Sequence, residues 1–131
     1  MRAFVKRLGH GVAIGVILGS LSGVTAGADD SVDPAAAQFK KSCGTCHTAD
    51  PAGAPRQGPN LHHVVGRPAG SLKGFKYSPA FQKAKNGLTW TPALIDKWIT
   101  NPQQVIPGTV MLYHQDDADK RQLIIRFLQA N

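Results

Sequence analysis

The stretch Lys40-Lys41-Ser42-Cys43-Gly44-Thr45-Cys46-His47 decides how the rest of the chain is read. It holds both cysteines of the protein, with a histidine directly after the second. A disulfide or a thiol redox pair is the common use of Cys-x-x-Cys. Such a pair, however, opens the helix of a strand-helix-strand unit, whereas these cysteines follow a helix already under way from Pro34. Zinc would need a second Cys or His pair at finger spacing, and the sequence has none. The histidine turns the reading: Cys-x-x-Cys-His is the pattern of covalent c-type haem attachment. Two thiols at this spacing, on the last turn of a helix, reach the two vinyl groups along one side of a porphyrin. The adjacent imidazole then lies under the ring, where it binds iron.

Upstream of the motif, Ala35, Phe39 and Cys43 recur at four-residue spacing and give the opening helix one apolar stripe. Along the chain, helix starts are signalled by a capping residue followed at once by proline. Asp33-Pro34, Ser78-Pro79, Thr91-Pro92 and Asn101-Pro102 all have this form. The cap side chain accepts from an otherwise unpaired N–H, and proline at the first helical position has no N–H to leave unpaired. Asp116 or Asp117 offers a fifth start, ahead of a run in which Leu123, Ile124, Phe127 and Leu128 form an apolar face. Nothing reads as a strand, so the fold class is all-α, with the first and last helices packed together. The segment from Asn60 to Tyr77, with Gly66, Pro68, Gly70 and Gly74, reads as an ordered loop. Long loops of this kind usually serve a ligand.

The first eight residues carry Arg2, Lys6 and Arg7 and no acid, and an apolar run from Val12 to Val24 follows. With Ala26-Gly27-Ala28 as a small-x-small cleavage site, residues 1–28 read as a secretory signal peptide and 29–131 as one domain. A second reading stands beside it. Gly11, Gly15, Gly19, Gly23 and Gly27 fall at every fourth position, the spacing of close-packed membrane helices, so residues 8–28 would also serve as an uncleaved membrane anchor. Removing the leader takes three of the fifteen basic residues and none of the eight acids, which lowers the net charge from +7 to +4. That modest surplus suits acidic protein partners and lacks the dense Lys/Arg blocks that a nucleic acid requires.

A six-coordinate haem iron needs a second axial ligand. Met111 is the single methionine after the leader, and it sits in the turn-rich stretch Ile106-Pro107-Gly108-Thr109-Val110-Met111. A lone methionine is usually core filler, but covalent haem makes ligation the better reading. His62, His63 and His114 compete for the position and read as surface histidines.

The chain resembles the class I cytochromes c, the soluble mitochondrial and bacterial kind, over nearly all of its length after the leader. Beyond the haem motif, the resemblance rests on Gly58-Pro59-Asn60-Leu61-His62, Gly66-Arg67, Gly74-Phe75-Lys76-Tyr77, Gly87-Leu88-Thr89-Trp90, Asn101-Pro102 and Ile106-Pro107-Gly108-Thr109-x-Met111. It implies a cytochrome c fold: four to five short helices wrapped around one covalently bound haem c, with iron held by His47 and Met111. It also implies that the Pro59 carbonyl accepts from His47, and that Arg67, Tyr77, Trp90 and Thr109 meet the haem propionates. Phe39 and Phe127 match the aromatic contact between the first and last helices, and Trp98 falls where mitochondrial members carry a tyrosine beside the methionine sulfur.

Three departures stand out. Gln103, Gln104 and Val110 occupy positions where mitochondrial members crowd lysines, so docking should depend less on salt. His63 replaces a glycine. The loop after Met111 is about one residue short, which could loosen the methionine side. The implied function is that of a periplasmic one-electron carrier rather than an enzyme. As a monomer it would form transient complexes with a membrane oxidase or reductase, or with a periplasmic dehydrogenase. Its alternatives are a dedicated haem subunit of a periplasmic oxidoreductase complex and, more remotely, a thiol-disulfide oxidoreductase.

Overall fold

Each helix begins where a side chain caps it. In the computed structural model, which describes residues 32–131, α1 (Pro34–Ser42) is capped by Asp33, α2 (Pro79–Ala84) by Ser78, and α3 (Pro92–Thr100) by Thr91. Asn101 caps the short α4 (Pro102–Val105) and Asp117 caps α5 (Ala118–Ala130). The Asp117 carboxylate accepts from the N–H groups of both Asp119 and Lys120, so Asp117, and not Asp116, opens the last helix. The leader, 1–28, lies outside the described residues.

α5 packs on both α1 and α3, and α3 packs on α4. The α1–α5 contact is centred on Phe39 and Phe127, whose rings stack with centroids 4.2 Å apart. On α5 the buried positions are Ile124, Ile125 and Leu128; Leu123, expected on this face, is only half-buried, and Ile125 takes its place. The substitution follows from geometry: α5 faces two neighbouring helices, so its buried surface is wider than one stripe and reaches Ile125.

Among the described residues there is no strand, only an isolated bridge between Pro68 and Thr89. Around it, Gly66 N–H donates to the Trp90 carbonyl at 2.8 Å and Trp90 N–H to the Arg67 carbonyl at 3.0 Å. The loop from Asn60 to Tyr77 is thus ordered, as expected, and it brings Arg67 beside Trp90. Asn60 is buried and anchors the loop's start. Its carboxamide donates to the carbonyls of Asp50 (2.8 Å) and Gly53 (2.6 Å) and accepts from His62 N–H. His63 adopts φ 50°, the left-handed region that suits glycine, and its N–H is held by the Asn131 carbonyl at 2.8 Å. The residue is exposed, so the side chain costs backbone strain but no packing. No helix among the described residues is long and apolar enough to cross a membrane.

Removing the Phe39 ring leaves a cavity between α1 and α5. Phe39→Ala is expected to cost about 3–5 kcal/mol, the range for buried aromatic truncations, measured by guanidinium unfolding of the holoprotein. A loss below about 1 kcal/mol would mean that the two ends of the domain do not depend on this contact.

Candidate haem site

α1 delivers the first cysteine at its very end. Ser42 is the last helical residue and Cys43 the C-cap, so the motif runs through the turn just past the helix and not on its last turn. Cys46 N–H (3.1 Å) and His47 N–H (2.9 Å) both donate to the Cys43 carbonyl, which winds the turn so that both thiols and the imidazole line one cavity. Gly44 suits the turn, because a Cβ would lie 2.6 Å from the Lys40 carbonyl oxygen and the backbone would have to shift to take it.

The cavity has a volume of about 500 Å³. Cys43, Cys46 and His47 line it, as do Met111 and Leu112 of the loop after α4. Leu61, Val64, Phe81, Ile95, Ile99 and Leu128 make most of the remaining wall apolar. All nine residues singled out from the sequence border this space: Cys43, Cys46, His47, Pro59, Arg67, Tyr77, Trp90, Thr109 and Met111. None of the competing histidines does. His114 and His63 are exposed. His62 departs from the expected surface position: it is half-buried under the His63 ring, centroids 3.9 Å apart, with a buried Nδ1 that lacks a hydrogen-bond partner.

On the cysteine side, His47 Nδ1–H donates to the Pro59 carbonyl at 2.7 Å, which leaves Nε2 as the nitrogen with a free lone pair. Burial lowers the proton affinity of the ring, partly offset by the bond to Pro59. The imidazole is therefore neutral at pH 7, the form that ligates a metal. Gly58 leaves room for it; a side chain at this position would overlap the ring. Cys46 Sγ–H donates to Gln57 Oε1 at 3.2 Å, and Arg56 ties back to the Gly44 carbonyl. The Cys43 thiol is pushed up to about 12 by burial and by the neighbouring Cys46. Reactive thiols of oxidoreductases are shifted the opposite way, so this environment disfavours thiol exchange.

Elsewhere on the cavity wall, Trp98 Nε1–H donates to the Met111 sulfur at 3.0 Å. Trp98 is itself wedged edge-on against Trp90 (5.4 Å) and Phe81 (6.0 Å). Gln103 braces the loop: its Nε2 donates to the Thr109 carbonyl (2.7 Å) and its Oε1 accepts from Gly108 N–H (2.9 Å). Arg67 is fixed by the carbonyls of His62 (3.0 Å) and Asn60 (2.8 Å). Desolvation weakens its hold on its proton and raises the neighbouring Tyr77 phenol, although each residue's charge opposes the shift in the other. A half-buried guanidinium beside a phenol suits a carboxylate-bearing ligand.

Cytochrome c2 of Rhodomicrobium vannielii is 43% identical over 96 residues, spanning 70% of this chain and 72% of its own. Cytochrome c2 of Rhodopila globiformis is 44% identical over 93 residues, 70% and 85% respectively. Cytochrome c of the plant Stellaria longipes is 41% identical over 92 residues, 70% and 83%. The chain belongs to the class I cytochromes c. No family model matches the sequence. As in other members of this cytochrome family, the cofactor is one covalently attached haem c, and the five-helix fold is the all-α cytochrome c fold. The cavity of this cytochrome fits the group. Its lining offers two free thiols, an imidazole with a free Nε2, a thioether, apolar walls for the macrocycle, and a cation with hydroxyl and indole groups for its carboxylates.

The bracing contacts of Gln57 and Gln103 were not legible in the sequence, where Gln103 stood out only as a departure from lysine, since glutamine carries no spacing signature.

Gly58→Ala is expected to displace the His47 ring and break its bond to Pro59. Purified holoprotein should fall several-fold in yield, with a shifted Soret maximum. An unchanged yield and spectrum would show that the backbone at Gly58 yields easily and that the ring's position does not depend on it.

Proposed function

We propose that this cytochrome is an exported one-electron carrier whose haem iron is held by His47 and Met111 and whose porphyrin is tethered through Cys43 and Cys46. The observation that supports the reading is that His47 and Met111 line one apolar cavity and that each is braced by a neighbouring group. The neutral His47 ring is anchored by Pro59, and the Met111 sulfur is held by Trp98.

Bound haem supplies a ferric/ferrous couple, and a histidine–methionine pair raises its potential relative to two nitrogen ligands. The chain's own residues supply the rest. The Pro59 carbonyl orients His47 and increases its basicity. Arg67, Tyr77, Trp90 and Thr109 hold the propionates, whose buried charge needs donors. With Met111 in place no position is left for a substrate, which supports a carrier over an enzyme. The aromatic and aliphatic walls keep water away and the braced loops keep the ligands still, so little rearrangement accompanies electron transfer.

Residues 1–28 act as the export signal in this reading, or residues 8–28 as a retained tether, and the domain 29–131 works in the periplasm. The electron partners are a membrane oxidase or reductase, or a periplasmic dehydrogenase, engaged as transient complexes by a monomer. One observation favours the second reading, a dedicated haem subunit. Val110 and Leu112, on either side of Met111, are 76% and 79% exposed. An apolar pair at the cavity mouth suits a lasting contact. Stoichiometric co-purification of a dehydrogenase from the native host would support the subunit, and its absence the shuttle.

Met111→Ala should abolish the weak near-infrared absorption of a sulfur–ferric iron bond and lower the potential; a band that survives removes Met111 from the ligand set. Cys46→Ser is expected to leave at most one thioether and little holoprotein, read by haem staining after denaturing electrophoresis and by intact mass. Two-bond haem in that variant would contradict the attachment scheme.

A further inference from the structure

The loop that carries Met111 runs without helix from Ile106 to Asp117, and it is held at both ends. Gln103 braces its beginning. At its far end Gln115 N–H donates to the Ile99 carbonyl at 2.7 Å. Arg121, on the first turns of α5, then gathers three acceptors. Its Nη1 donates to the carbonyls of Gln115 (3.0 Å) and Asp116 (2.8 Å), and its Nε donates to Asp96 Oδ1 at 2.9 Å. The Arg121 side chain is only 14% exposed, so its bonds to Asp96 and Gln115 are partly shielded from competing water, while the bond to Asp116 lies at the surface. Asp96 lies on α3, the helix that also carries Trp98. Arg121 therefore ties the far end of the methionine loop to the helix that holds the methionine sulfur.

We infer that Arg121, acting with Asp96, is a positioning residue for Met111: it keeps the shortened loop closed so that the sulfur stays on the iron. This rests on the ligand reading proposed above. A guanidinium is suited to the task because its donors form a rigid fork that serves two carbonyls and a carboxylate at once, which an ammonium cannot match. If the loop is one residue short, as the resemblance implies, this clamp holds the end where slack would otherwise appear. A competing ligand binds only to molecules whose loop is open, so its apparent affinity reports the open fraction.

Imidazole, which competes with the methionine sulfur, is the probe, and the full-length holoprotein is titrated with it. Arg121→Gln and Asp96→Asn should both keep the near-infrared band without imidazole. Arg121→Gln should bind imidazole about tenfold more tightly, the effect of losing hydrogen bonds to a charged group. Asp96→Asn should move affinity in the same direction by less. Arg121→Lys, which keeps the charge but not the fork, should stay nearer to Arg121→Gln than to the unmutated protein. Phe39→Ala serves as the control: it lowers unfolding stability at the other side of α5 and should leave imidazole affinity unchanged. The assignment is overturned if Arg121→Gln and Asp96→Asn both keep the band and bind imidazole within about twofold of the unmutated protein. It is also overturned if Phe39→Ala raises the affinity as much as Arg121→Gln. A near-infrared band missing from the unmutated holoprotein overturns the methionine ligand itself, an outcome distinct from either.

Discussion

The bond from His47 Nδ1–H to the Pro59 carbonyl is the constraint on which the rest of the site depends. It fixes which ring nitrogen faces the cavity, and it does so from a loop whose own position is set a few residues later. Asn60, immediately after the accepting residue, is buried and stitched to Asp50 and Gly53. The Asn60 carbonyl in turn accepts from Arg67. The imidazole, the loop and the cation on the cavity wall are therefore one connected unit, and a displacement at any point would be felt at the others. Gly58 belongs to the same unit by what it lacks, because a side chain there would occupy the ring's place.

The two sides of the cavity are built on different principles. The histidine side is local: residues 43–67 supply the thiols, the imidazole, its acceptor and the arginine, with backbone carbonyls doing most of the holding. The methionine side is assembled from separate elements. Trp98 comes from α3, Gln103 from α4 and Arg121 from α5, and side chains make the decisive bonds. Its integrity thus depends on tertiary packing in a way that the histidine side does not.

This division also explains what the sequence disclosed. The capping residues ahead of proline marked four helix starts at their observed positions, because a cap and a ring without an N–H act within a few residues. The Cys-x-x-Cys-His turn was legible for the same reason, whereas the Pro59 acceptor, 12 positions beyond His47, came only through the resemblance to the class I cytochromes c. Ile125 was not, since its burial is set by a second neighbouring helix and not by the period of its own. The burial of His62 was likewise out of reach, being produced by a carboxamide and a neighbouring ring. Arg121 gave no signal at all: its carboxylate partner is 25 positions away, on another helix. The backbone of His63, a departure visible in the sequence, adopts the conformation that a glycine would take there, so the loop keeps its path and bears the strain at an exposed position.

The stacked rings of Phe39 and Phe127 join the first described helix to the last. Bringing such distant segments together closes the longest loop available to the domain, and the entropy of that closure has to be met before the contact gives anything back. Contacts of this kind slow the search for the native state, since speed falls as the mean separation of contacting residues grows. A chain that emerges N-terminus first would hold α1 without its partner until α5 is free, with one face of Phe39 in water for the interval. Any shortening of the last helix would forfeit this contact and with it the closure that joins α1 to α5.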